Sequence, residues 1–183
     1  FSEQRIDTVV DLAFILNPGH DRAVSRRVNV GAISNVLDAC VEAKVQQLLY
    51  LSSSTVYGAH PDNCSLLTEE SPVRPVKGFQ YGEDKAEAEK IIALFVKEQP
   101  SIIATVLRAC PVIGPNADNF VSRAFNRSFL VGIRGHDPFM QLLHEDDLTD
   151  VVLLCLENRV PGVYNLGGET TVRWSDMADM SDS

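Results

Sequence analysis

The sequence predicts an α/β fold: a parallel sheet with helices covering its faces. Two observations predict it. Three short apolar runs, 6–13 (IDTVVDLA), 45–51 (VQQLLYL) and 102–107 (IIATVL), have the composition of strands. Between them stand two longer segments, 29–44 and 79–98, with apolar residues at helical spacing. Strand, helix, strand, helix, strand in that order implies parallel strands joined by right-handed crossovers. Such sheets bind ligands beyond the carboxyl ends of their strands. Ala13, the serines after Leu51 and the region of Pro111 fall at that edge.

Each element has its own signature. The 29–44 helix carries Val30, Ile33, Val36 or Leu37, and Cys40 or Val41 on one face. The 45–51 strand runs straight into Ser52, Ser53 and Ser54. A polar loop follows, 58–78, holding Pro61, Pro72 and Pro75; loops of that length are uncommon in compact domains and often carry function. The 79–98 helix buries a stripe of Ala88, Ile92 and Phe95, headed by Tyr81 and Lys85 one turn apart. The 102–107 strand ends at Arg108. Residues 116–141 mix arginines with aromatics and show no clear period. An amphipathic helix is predicted over 146–158, with Asp146 or Asp147 as its N-cap. A brief strand, 163–166, leads into a turn at Gly167 and Gly168. No internal repeat or low-complexity tract interrupts the chain.

The bulk properties narrow the function. The 183 residues fit one domain or a domain and a half. A net charge of −9, with no lysine or arginine cluster, argues against nucleic acid. No stretch approaches the ~20 apolar residues of a membrane span, and no charged leader precedes an apolar run, so a cytoplasmic protein away from membranes is expected. Cys40, Cys64, Cys110 and Cys155 form no CxxC pair and read as scattered thiols of a reducing compartment. His20, His60, His136 and His144 lack metal-ligand spacing. The absence of GxSxG argues against a hydrolase. The first residue is Phe1, not Met, so the chain is expected to begin inside a longer protein.

Three polar groups carry chemistry: Ser53 at a strand end, and Tyr81 and Lys85 on one helix face. A phenol with a pKa of about 10 is a poor base at neutral pH. A nearby ammonium favours the phenolate, and a cationic nicotinamide would favour it further. The tyrosine then exchanges a proton with a substrate hydroxyl or carbonyl, the serine holds the same oxygen, and hydride passes to or from the cofactor. Tyr-x-x-x-Lys alone is a weak signal; a half-buried tyrosine with a lysine lying beside it is the bland alternative. Gly82 costs the helix about 1 kcal/mol and lets another group approach closely.

With "DTVVDLAF", "RRVNVGAISNVLDAC", "LLYLSSSTVYG", "YGEDKAEAEK", "VLRACPVIGP", "LLHEDDLTDVV" and "GVYNLGG" in this order, the chain resembles the extended short-chain dehydrogenase/reductase superfamily, in its NAD-dependent epimerase/dehydratase group. The resemblance implies a partial Rossmann-type doubly wound sheet with a small, incomplete substrate-binding region. Residues 1–115 would be the C-terminal half of the NAD(P)-binding domain, 116–143 a substrate segment, 144–166 the return to the main domain, and 167–183 the start of a further substrate region. Tyr81 would be the catalytic acid/base, Lys85 would hold the nicotinamide ribose, and Ser53 would be the catalytic serine. Leu12, Ala13, Phe14, Leu51, Ser52, Pro111 and Val112 would line the cofactor, NAD or NADP. Asn29 would support the site. Ser54, Thr55, Arg123 and Arg134 would face a sugar nucleotide or another hydroxyl or keto molecule. His144 and Asp147 read as structural. A homodimer through 29–44 and 79–98 is common in the family; the competing reading is that those apolar stripes face only the sheet.

The chain also departs from the family pattern. It contains no glycine-rich GxxGxxG turn and no residue choosing between NAD and NADP. It aligns from just before the family's fourth strand. Without a helix N-terminus for the pyrophosphate, these residues alone are expected to bind cofactor weakly or not at all. Met140 stands where a diphosphate-gripping arginine is usual, Pro111 where asparagine is frequent, and Asp11-Leu12-Ala13 replaces His-Leu-Ala. Arg123, Arg127 and Arg134 either compensate or are solvated surface charges. The rival to an enzyme is an inactive relative that keeps the fold for binding or structure.

Overall fold

The computed structural model describes residues 2–15, 21–125, 132 and 134–181. Phe1, His20 and Arg127, which figured in the sequence reading, lie outside the described residues. The chain forms two compact units: Phe1–Arg108 with Val152–Asn165, and Ala109–Val151 with Leu166–Ser183.

The first unit holds a four-stranded parallel sheet. Strands β1 (Thr8–Asp11), β2 (Gln47–Ser53) and β3 (Ile103–Ala109) lie in chain order, and a later strand, Gly162–Leu166, pairs beyond β3. β1 and β2 run parallel with Val9 opposite Leu48 and Asp11 opposite Tyr50. β1 is shorter than the 6–13 expected, and β2 is shifted two residues on from 45–51, so Ser52 and Ser53 belong to the sheet. β2 is buried almost throughout, as a central parallel strand with both faces covered must be.

The helix expected at 29–44 begins earlier. Asp21 accepts hydrogen bonds from the backbone N–H of Ala23 and Val24 and starts α1 (Arg22–Arg26). A π-helical turn, Arg27–Gly31, then leads into α2 (Ala32–Ala43). Lys44, at φ 56°, closes α2 in the left-handed region, its N–H on the Cys40 and Val41 carbonyls. α3 (Gln80–Glu98) follows β2. Ile33, Leu37 and Cys40 of α2 and Ala88 and Ile92 of α3 pack with Leu48, Tyr50, Ala104 and Val106 of the sheet into one core. Gln47 and Thr105 donate to the carbonyls of Cys155 and Val160, which ties the sheet to the 152–165 segment.

The long loop between β2 and α3 is ordered by a few polar contacts. Arg74 makes a fork to Asp62 at 2.9 and 3.2 Å and reaches Asn63 at 2.9 Å. Gly58 sits at φ +69°, and a side chain there would strike the Arg74 carbonyl. In the second unit, β4 (Val112–Ile113) runs parallel to β6 (Leu143–His144). β5 (Phe139–Gln141) runs antiparallel to β8 (Thr171–Arg173). Asn119 accepts from Val121 N and Ser122 N at the start of α4 (Phe120–Phe125). The helix α5 starts at Glu145 and ends at Asn158, so Asp146 and Asp147 lie in its first turn and complement its dipole, not at the cap. β7 is the Gly162–Leu166 strand, and α6 (Trp174–Ser181) closes the described chain.

Candidate active site

Ser53, Tyr81 and Lys85 meet in the first unit. Ser53 ends β2 at 7% exposure. Its Oγ accepts from Thr55 N at 3.3 Å and Thr55 Oγ1 at 3.0 Å, which leaves its O–H to donate. The Tyr81 phenol lies beside it, and the serine acts to lower the phenol's pKa. Gly82 explains how the two come so close. A Cβ on Gly82 would lie 3.0 Å from the Thr55 carbonyl, so α3 seats directly on the turn after Ser53. The close approach expected at Gly82 is thus made by backbone.

Lys85 lies one turn further along α3, 4% exposed. Its Nζ donates to the Leu51 carbonyl at 2.6 Å. The ammonium stands 3.9 Å from the Phe14 ring centroid and 4.7 Å from that of Tyr50. Phe14 also meets Tyr81 edge to face, with centroids 5.2 Å apart. Burial pushes the Lys85 pKa down to about 8, against the pull of Asp11 and Glu89. Burial pushes the Tyr81 phenol up, and the Ser53 hydrogen bond opposes it. The downward pull expected from Lys85 therefore comes from Ser53; the ammonium is held by Leu51 and Phe14. The Tyr50 hydroxyl is buried without a hydrogen-bond partner among the described residues, and burial drives its pKa upward as well.

The other expected residues divide. Leu12 and Ala13 are exposed beyond β1, and Ala13 N is held by Asp11. Asn29 is 5% exposed on the π-helical turn and bonds the backbone of Ile15. The Ser52 hydroxyl donates to Glu89, so it is engaged in the interior and not directed at a ligand. Thr55 supports Ser53, and Ser54 is half-buried beside it. Pro111 and Val112 belong to the second unit, where their carbonyls accept from Leu143 and Asn119. Arg123 forms a solvent-exposed ion pair with Asp118 at 2.6 Å, and Arg134 is exposed, which is the surface behaviour. Met140 pairs with Val172 across β5 and β8. His144 and Asp147 line a cavity of about 600 Å³ within the second unit. No group of three or more metal-binding side chains occurs among the described residues.

A buried ion pair that sequence reasoning missed braces the strand ends. Arg108 grips both oxygens of Glu89 at 2.7–3.1 Å and donates to the Tyr57 hydroxyl at 2.7 Å. Tyr57 passes the bond to Asn165 at 2.7 Å. No local spacing marks it in sequence, because the partner Arg108 lies 19 residues on, across the helix-to-strand connection.

This half-sheet with helices between its parallel strands is a Rossmann-type α/β architecture. The model of the NAD dependent epimerase/dehydratase family matches residues 1–167, and the chain belongs to that family. Protein Rv0501 of Mycobacterium tuberculosis (strain ATCC 25618 / H37Rv) is 29% identical over 168 residues, 90% of this chain and 44% of that protein. 3beta-hydroxysteroid-dehydrogenase/decarboxylase isoform 1 of Arabidopsis thaliana is 32% identical over 114 residues, 57% of this chain and 25% of that protein. The solved structure of MoeE5 with UDP-glucose and NAD superposes with a TM-score of 0.79 at 28% identity, covering 96% of this chain and 61% of that one. The chain thus spans about half or less of these curated relatives and three-fifths of the solved one.

Proposed function

We propose that this chain carries the catalytic centre of a NAD(P)-dependent oxidoreductase or epimerase/dehydratase acting on a hydroxyl or keto small molecule. The observation that carries the reading is the placing of Tyr81 beside Ser53, where the serine lowers the phenol's pKa, with Lys85 one turn away on α3. The donor set suits the nicotinamide ribose: of the three Lys85 N–H groups, one goes to Leu51 O, which leaves two for a diol. Lys85 and Tyr81 would hold that ribose, beside the Leu12–Phe14 backbone and Leu51. The bound cofactor supplies the hydride acceptor or donor. Tyr81 gives or takes the proton at the substrate oxygen, Ser53 orients that oxygen, and Phe14 and Tyr50 keep water from the ammonium. A sugar nucleotide is one substrate class, supported by the UDP-glucose complex of MoeE5; the hydroxysteroid dehydrogenase/decarboxylase of Arabidopsis supports another hydroxyl-bearing small molecule. A homodimer through α2 and α3 is part of the proposal, with Val41 and Leu94 leaving apolar surface at 42% and 53% exposure. Titrating the full-length protein with NADH and NADPH, followed by nicotinamide fluorescence, tests the reading. Binding of one of them is expected; binding of neither leaves only a structural or binding relative.

A further inference from the structure

Asp84 immediately precedes Lys85 and is fully buried, at 0% exposure. Three donors converge on it. Arg26 Nη1 reaches Oδ1 at 2.9 Å, and Asn29 Nδ2 and Gln80 Nε2 reach Oδ2 at 3.2 and 3.3 Å. Arg26 is itself half exposed, so an ion pair alone does not account for a carboxylate placed so deep. Asn29 and Gln80 together satisfy its second oxygen, and the bond to Asn29 has a further consequence. A carboxylate only accepts, so it fixes which end of the Asn29 amide faces it. The Asn29 nitrogen turns to Asp84, and its oxygen accepts from Ile15 N at 2.8 Å. The same amide also reaches Ile15 O at 3.4 Å. Both backbone polar groups of Ile15 are thereby tied to one side chain. Phe14, the residue before it, carries the Lys85 ammonium on its ring and meets Tyr81 with its edge.

We infer that Asp84 is a positioning residue of the Tyr81–Lys85 site: through Asn29 it holds the 12–15 segment, and so keeps the Phe14 ring against both side chains. The inference rests on the proposed roles of Tyr81 and Lys85, yet its test needs neither cofactor nor turnover.

The test reads Lys85 directly. Competitive acetylation with acetic anhydride across pH, followed by mass spectrometry of the Lys85 peptide, gives its titration midpoint. The groups facing Lys85 are Asp11 on β1, Tyr50 on β2 and Glu89 on α3, with the Phe14 ring. The native chain is expected to titrate at this lysine near 8, because the ammonium is buried. Asp84→Ala releases the 12–15 segment and rehydrates the ammonium, so the midpoint rises by about one unit or more towards the ordinary lysine value. Phe14→Ala produces the same rise. Asp84→Asn keeps an acceptor for Asn29 and stays near the native midpoint. The sign is decisive, because simple loss of a neighbouring negative charge would lower the midpoint. A fall, or no change, in folded Asp84→Ala overturns the inference, as does a rise in Asp84→Asn equal to that of the alanine variant. If Asp84→Ala does not fold, Phe14→Ala and Asn29→Ala decide: a rise in both supports the relay, and an unmoved midpoint in either overturns it.

Discussion

Lys85 is a cation placed where cations are disfavoured. Its folded pKa of about 8 lies below the ordinary 10.5, because burial penalises the ammonium. A lysine with a depressed folded pKa loses its proton first in the folded state. Between about pH 8 and 10 the unfolded chain therefore binds more protons at this site, and stability rises with pH through that window. The thiols of Cys40 and Cys155 are pushed up by burial and act in the opposite sense near the top of it. The lysine contribution is thus the difference between the native chain and Lys85→Met in urea unfolding: native stability gains on the variant from pH 8 to 10. A constant difference would contradict a buried, depressed Lys85. Tyr81, Lys85 and Ser53 were legible in sequence because their spacing and strand-end position mark them. The pull on Tyr81 was not, since it depends on which side chain the ammonium faces, and that is set by Leu51 O and Phe14, more than thirty and seventy residues away respectively.

The helix α3 does two jobs on one face. Tyr81 and Lys85 form the site, while Ala88 and Ile92 enter the core and Glu89 meets Arg108. Both members of that pair are nearly inaccessible, at 7% and 8% side-chain exposure. Removing one partner strands a buried charge, so Glu89→Gln is expected to lower unfolding free energy by roughly 3 kcal/mol. Replacing both with apolar residues, Glu89→Leu with Arg108→Met, should cost less than the single change, because no charge is left unpaired. Urea denaturation checks both, and a single variant within about 1 kcal/mol of native would contradict the bracing role. The strands and helices of the first unit were legible because their periods are clean. Their ends were not. The helical path starts at Arg22 because Asp21 caps it, ahead of the apolar period, and β2 reaches Ser53 because the serines continue the ladder despite their polarity. The mixed 116–141 stretch gave no period, and its β5 strand is defined only by its partner β8, some thirty residues on.

At the scale of the molecule, the proposed site in the first unit would hold the nicotinamide end of the cofactor, while the sequence contains no GxxGxxG motif. That motif is what seats a pyrophosphate on a helix N-terminus. Calorimetry of the 183-residue chain is expected to show NAD binding that is weak or undetectable; micromolar binding would mean that other groups of the chain cradle the phosphates. No described helix is long and apolar enough to cross a membrane. The family was legible from motif order alone, whereas the order of strands in the sheet was not, because it depends on pairings between residues far apart in the chain, such as Val9 with Leu48. The central claim is that Tyr81 exchanges the proton. Single-turnover reduction of the nicotinamide by full-length protein, compared with Tyr81→Phe at saturating cofactor, tests it most directly. The phenylalanine variant should bind cofactor as the native protein does and turn over about 10²-fold or more slowly. Turnover by Tyr81→Phe at the native rate would contradict the account.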